Sequence, residues 1–289
     1  MTALMLLIAC DATVDTDSAA PIDETPSALW EPVGYSGGAC PSFSPEEEWV
    51  DLVSAELDRS VRVLYPENPQ GAPVWFNWHW LGGSANQAVT YQGLYDIADA
   101  GYIVVVPTTT GKFEGISEWG FVDGQDDSWD LALFDDVLSC LVEQHDIDRS
   151  RVYSTGMSAG GLWSTHLLGR RSEYLAAVAP LSGGTGMFQS YDKPERGDLP
   201  VMLTWGGPSD TINILGQQVS FEEATFELRD ALLADGHFVV MCEHDDGHTL
   251  PPVNLEHVKL FFAAQQMGED NPWEGGLPGE LWSACEIAE

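Results

Sequence analysis

A series of short, unbroken apolar runs, each closed off by Gly, Pro or polar residues, constrains this chain more than any other feature. The runs fall at 61–65, 74–80, 103–106, 151–155, 176–181, 201–205 and 237–241. Runs this short, without in–out alternation, fit strands covered on both faces. Between them lie segments of helical spacing at 85–100, 128–145, 159–168 and 221–234, with a last one after Pro252 to about 266. In 128–145 the apolar residues are Leu131, Phe134, Val137, Leu138, Leu141 and Val142, which share one helical face. Strands alternating with helices predict an α/β architecture, a mainly parallel, doubly wound sheet. No internal repeat is present. The connection from Gly183 to Leu199 is too modest for a large lid domain.

Gly-x-Ser-x-Gly occurs twice, and only context separates the copies. Gly34-Tyr35-Ser36-Gly37-Gly38 follows Pro32, has no strand leading into it and reads as linker. Gly156-Met157-Ser158-Ala159-Gly160 is fed by the 151–155 strand and followed by an apolar helical segment. Strand, sharp turn and helix make a nucleophile elbow, with Ser158 as the candidate nucleophile at the helix N-terminus. Small residues at 156 and 160 suit such a turn.

A serine of this kind needs a base and an acid, which on such a scaffold follow it in the order acid, then His. Of the seven histidines, His248 stands in Asp246-Gly247-His248-Thr249-Leu250-Pro251, between the last strand and the last helix. That places it at the carboxyl edge of the sheet, where open α/β sheets bind ligands. His244 is its rival in the same loop; His237 and His257 read as structural. Asp210 follows the 201–205 strand through Gly206-Gly207-Pro208-Ser209 and is the candidate acid, ahead of Asp235, Asp245 and Asp246. The candidate oxyanion donors are the backbone N–H groups of Ala159 and of Leu81, the latter in His79-Trp80-Leu81-Gly82-Gly83-Ser84. Trp80 and His79, at the end of the 74–80 run, are the candidate substrate-contacting residues. Trp75, Phe76 and Trp78 read as core.

Asp and Glu total 46 against 11 Lys and Arg, a formal net charge of −35. Such a surface repels nucleic acid and anionic membranes. It suits a soluble face adapted to high salt. There is no Cys-x-x-Cys, His-Glu-x-x-His or calcium-loop pattern, so neither metal nor cofactor is expected.

The first residues, 1–10, hold a short apolar run ending in Leu7-Ile8-Ala9-Cys10, which resembles a bacterial lipobox. Lipidation of Cys10 would attach the chain to a membrane; the run is too short to span one and lacks a basic flank, so a truncated start and a chance match both stay open. Residues 11–40 read as an acidic, disordered tether, 41–268 as the catalytic domain and 269–289 as an irregular tail. With Cys10 set aside, Cys40, Cys140, Cys242 and Cys285 suggest two disulfides in an exported protein, with all pairings open.

The stretch Ile147-Asp148-Arg149-Ser150-Arg151-Val152-Tyr153 running into Gly-Met-Ser-Ala-Gly-Gly resembles the polyhydroxybutyrate depolymerase and feruloyl/acetylxylan esterase group of α/β hydrolases. So do 176–182 and the loop Gly247-His248-Thr249-Leu250-Pro251, and the likeness covers roughly 60–265. The resemblance implies the α/β-hydrolase fold and Ser158, Asp210 and His248 as a triad. It also implies an exported, cofactor-free enzyme that cleaves esters of polymers or plant-wall sugars. Separately from the resemblance, a monomer in the extracellular space, periplasm or cell envelope of a bacterium is expected. Two departures stand out. His79-Trp80 replaces the group's His-Gly, and Trp205-Gly206-Gly207-Pro208-Ser209-Asp210 replaces His-Gly-Thr-x-Asp. The rival functions are a serine peptidase or acyltransferase with the same residues, and a non-catalytic, lipid-anchored binding protein.

Overall fold

The computed structural model describes residues 30–289 except 110, 114, 115, 125, 187, 215 and 251–254, with backbone only for 111–113, 116 and 117. Cys10 and the lipobox-like run lie outside the described residues. In chain order the elements are β1 (Trp49–Ser54), β2 (Leu57–Leu64), β3 (Val74–Trp78), α1 (Ala85–Tyr91), α2 (Leu94–Asp99), β4 (Ile103–Pro107), β5 (Gly111–Phe113), β6 (Ile116–Glu118) and α3 (Ser128–His145). They continue with β7 (Val152–Met157), α4 (Ala159–Arg170), β8 (Ala177–Leu181), β9 (Val201–Trp205), β10 (Thr211–Ile214), β11 (Gln217–Ser220), α5 (Phe221–Ala234), β12 (Val239–Glu243), α6 (Glu256–Ala264) and β13 (Cys285–Ile287).

The main sheet has nine strands in the order β1-β2-β4-β3-β7-β8-β9-β12-β13. β4, β3, β7, β8, β9 and β12 run parallel; β1, β2 and β13 join antiparallel at the margins. The strands read as apolar runs are buried on both faces. In β3, Phe76 and Trp78 enter the core layer shared with α3, α4 and α5, while Trp75 enters the opposite layer shared with α1, α2 and α6. Under the first layer an ion pair of fully buried side chains, Arg59–Asp130 at 2.6 Å, ties β2 to α3.

Several boundaries differ from the sequence expectation, each for a local reason. The 85–100 helix is broken into α1 and α2 because Gly93 adopts φ 66°. The last helix begins at Glu256, after Leu255 at φ 63°. β1 escapes notice because it is an edge strand, with Trp49, Asp51 and Val53 exposed between buried neighbours. The tether expectation fails over 30–40. Trp30 Nε1 donates to Arg149 O, the Ser36 backbone N and Oγ donate to Asp136, and Cys40 is bonded to Cys140. The 34–38 motif is therefore a strap on α3, not a linker. The tail also joins the sheet: Cys285 pairs with Cys242 in strand register and by a disulfide, and Trp273 packs on Phe261.

The Cys40–Cys140 bond spans 100 residues. Replacing both by Ser should lower stability by about 4–5 kcal/mol, read as a lower urea midpoint. A second expectation concerns acid. His257 is buried against Trp282 and Thr204, and burial pulls its pKa from 6.5 down to about 4. The unfolded chain binds this proton first, so stability from the neutral ring is present above pH 6.5 and is lost as pH falls towards 4. The loss should reach about 3 kcal/mol, and His257→Gln should flatten that part of the stability–pH curve.

Candidate active site

Ser158 sits between the end of β7 and the start of α4, with φ 57° and ψ −119°. The glycines around it allow the approach of two backbones. A Cβ on Gly160 would lie 2.0 Å from Trp78 O, and one on Gly156 would lie 2.6 Å from the same oxygen. Ser158 N is fixed by donating to Leu181 O at 2.9 Å, across on β8. The hydroxyl is thereby held at the carboxyl edge of the sheet in a backbone state that few side chains tolerate.

His248 and Asp210 reach it from two further loops. His248 Nε2 lies 2.9 Å from Ser158 Oγ, and His248 Nδ1 lies 2.7 Å from Asp210 Oδ1. Both contacts are satisfied when Ser158 donates to Nε2 and the ring proton sits on Nδ1, donating to the carboxylate. Asp210 is fully buried. Its Oδ2 accepts from Ser182 Oγ at 2.8 Å and from Gly206 N at 2.9 Å. Phe221, first residue of α5, lies flat on the imidazole, with centroids 4.3 Å apart and planes 19° from parallel. The Asp and His loops are locked together at Gly206, whose O accepts from Gly247 N at 2.9 Å. A Cβ there would come 1.9 Å from Gly247 O, so only Gly fits.

The other candidates divide. Ala159, opening α4, and Leu81, after β3, both line the space at Ser158. Among the described residues neither N–H donates to a protein acceptor, so both are free to face an anion. Trp80 also reaches the site, beside Tyr91, Met157, Ser158 and Leu250. His79 does not, which corrects its assignment as a substrate contact. It is 1% exposed, its Nδ1 lies 2.9 Å from Trp80 O, and its ring packs on Trp119. Past the end of β3, the His79 ring turns onto Trp119 while Trp80 turns towards Tyr91, and burial holds the His79 pKa below the usual imidazole value. His244 packs on Trp282 and accepts from Asp246 N, away from Ser158. Asp235 binds Lys193 and Tyr191. Neither Ser182, which lies in the 176–182 resemblance stretch, nor Phe221 is singled out by the sequence as a site residue, because their value lies in contacts with loops distant in the chain.

Two cavities meet at Ser158. One is closed and apolar, about 60 Å³, between Leu81, Phe121, Leu162, Phe188, Ile212 and Phe221. The other is open, about 410 Å³, and lined by Trp80, Tyr91, His248, Thr249 and Leu250. Among the described residues no group of His, Cys, Asp and Glu is placed to hold a metal ion.

Against known families, residues 88–252 match the prolyl oligopeptidase family, more than half of the chain. The chain belongs to that family. Among curated relatives, this family member is 27% identical over 157 residues to a bifunctional acetylxylan esterase/xylanase of Neocallimastix patriciarum, covering 54% of this chain and 22% of that protein. It is 33% identical over 115 residues to a probable feruloyl esterase C of Aspergillus oryzae, covering 38% and 39%. The chain thus spans well under half of either relative. A match to an oxidized polyvinyl alcohol hydrolase of Sphingopyxis is longer, 25% identical over 295 residues, with 77% and 79% covered. Among solved structures, native sOPH superposes with a TM-score of 0.69 at 20% identity, covering 86% of this chain and 97% of that one. The fold is the α/β-hydrolase fold.

A fluorophosphonate should label Ser158. Asp210→Asn should slow that labelling by on the order of 10³–10⁴-fold, since the amide favours the wrong His tautomer. Ser182→Ala should slow it about tenfold, through the loss of one hydrogen bond to a buried carboxylate.

Proposed function

We propose that the protein is an exported serine hydrolase that cleaves carboxylic esters attached to polymers or polysaccharides through an acyl-enzyme. The observation that carries the reading is the unbroken chain Asp210–His248–Ser158 at the junction of two cavities. His248 takes the Ser158 proton as Oγ attacks the ester carbonyl. The tetrahedral oxyanion lies at the N terminus of α4, facing the N–H groups of Ala159 and Leu81. His248 then protonates the leaving alcohol, and water repeats the sequence on the acyl-enzyme.

The cavities support one orientation of the substrate. The leaving oxygen must meet His248, which lines the open cavity and not the closed one. The alcohol therefore belongs beside Trp80 and Tyr91, and the acyl group in the closed pocket. Relatives named as acetylxylan esterase, feruloyl esterase and polyvinyl alcohol hydrolase support ester substrates of this kind. The disulfides Cys40–Cys140 and Cys242–Cys285 support an oxidising destination; lipidation of Cys10 is a separate part of the proposal. Membership of a peptidase-named family favours a second reading, amide cleavage by the same residues.

Short-chain p-nitrophenyl esters and matched p-nitroanilides separate the two. Ester turnover that drops at least about 10³-fold in Ser158→Ala, with anilides nearly inert, is the expected result. Equal ester rates in wild type and Ser158→Ala would refute the assignment, and faster anilide turnover would favour the peptidase.

A further inference from the structure

We propose that Glu118 selects the acyl group: its carboxyl, at the closed cavity beside Ser158, takes a hydrogen bond from a hydroxyl carried by a short acyl chain. This rests on the ester-hydrolase reading above and extends it to substrate class.

Glu118 ends β6 and is 7% exposed. It is the one charged residue among the described residues lining the closed cavity. The rest of that wall is apolar apart from Ser158 itself, and Leu81, Phe121, Leu162, Ile212 and Phe221 supply most of it. Among the described residues no hydrogen bond or ion pair reaches the Glu118 carboxyl; its backbone carbonyl accepts from the Thr109 hydroxyl, and its backbone stands opposite Gly111 in the β5–β6 pair. Arginine and histidine partners are found elsewhere for buried acids in this chain, as with Asp130 and Asp210. A buried carboxyl without a partner costs free energy that folding alone gives no reason to spend. Burial accordingly pushes its pKa up to about 7.

The segment is also held in place. Trp119 Nε1 donates to His79 O at 2.8 Å, and Gly120 N donates to Asp130 Oδ2 at 3.0 Å. Asp130 is in turn paired with Arg59. The backbone that carries Glu118 is therefore fixed at the cavity wall, and among the described residues the side that can bring the carboxyl a partner is the pocket. The cavity, about 60 Å³, has room for only a few heavy atoms beyond the carbonyl. A carboxylate accepts a hydrogen bond and a protonated carboxyl both donates and accepts, so a hydroxyl satisfies either form. The ligand class is a short hydroxy-substituted acid, ester-linked to an alcohol that stays in the open cavity.

The test uses the full chain and measures kcat and KM for methyl butanoate and for its 3-hydroxy and 4-hydroxy derivatives. Wild type should prefer one hydroxylated ester by about tenfold or more in kcat/KM. The preference should shrink severalfold in Glu118→Gln, where the acceptor becomes neutral. It should vanish or reverse in Glu118→Leu, with the unsubstituted ester gaining. A wild-type ratio near one overturns the proposal, as does the same ratio in wild type and Glu118→Leu. Fluorophosphonate labelling of Ser158 checks that the Leu variant is folded; if it is not, an unchanged ratio in Glu118→Gln overturns the proposal. Absence of ester turnover and of Ser158 labelling in wild type instead removes the ester-hydrolase reading, and this inference with it.

Discussion

Everything at the site depends on how closely α4 can approach β3. Gly160 and Gly156 let the helix and the end of β7 sit against Trp78 O, and Gly161 does the same against Leu181 O on β8. A methyl group at any of these positions would drive backbone into backbone, which no side-chain adjustment relieves. With the approach made, Ser158 is forced to φ 57°, its N–H is tied to β8, and the free N-terminal end of α4 faces the cavity. Trp78, Trp119 and Trp163 pack edge-on and stacked beside the turn, and this buried packing helps hold the strained backbone in place.

The acid and the base depend on a second, independent contact. Gly206 and Gly247 meet backbone to backbone, so the β9 and β12 loops behave as one piece. Asp210 has its oxygens satisfied by directed donors, Ser182 Oγ and Gly206 N on one oxygen and His248 on the other. Phe221 closes one face of the imidazole. Water is thus kept from a carboxylate whose orientation sets the His tautomer. The Pro208-Ser209 departure from the esterase group's usual loop is accommodated here as a short 3-10 turn that still delivers Asp210 to the ring.

The parallel strands were legible because burial on both faces leaves a continuous apolar run, as in β4 and β9. The elbow was legible because a strand and a helix flank it, and Asp210 and His248 because each follows a central strand. β1 and β13 were not legible: an edge strand is half exposed, and β13 is only three residues long and joined to β12 by the Cys242–Cys285 bond as well as by pairing. The docked 30–40 strap was hidden for the same reason, since its polar composition is that of a linker and its partners lie about a hundred residues away. His79 misled because the chain leaves β3 at Trp78, and the irregular turn that follows sends its ring onto Trp119 rather than to the cavity. Glu118 gave no signal at all; among so many acids, only its place at the cavity distinguishes it.

The unequal size of the two cavities bears on how a macromolecule can be attacked. On the proposed orientation, the alcohol side opens to solvent past Trp80 and Tyr91, so a long chain can lie across it. The acyl side, among the described residues, is a narrow pocket of about 60 Å³ beside Ser158. A polyester backbone threaded through the site would need both sides open, because each acyl unit continues into the next. A pendant acyl group needs only one. If the substrate is a polymer, as proposed, this asymmetry fits stripping decorations from it, or nibbling at its acyl terminus, better than cutting it in the middle.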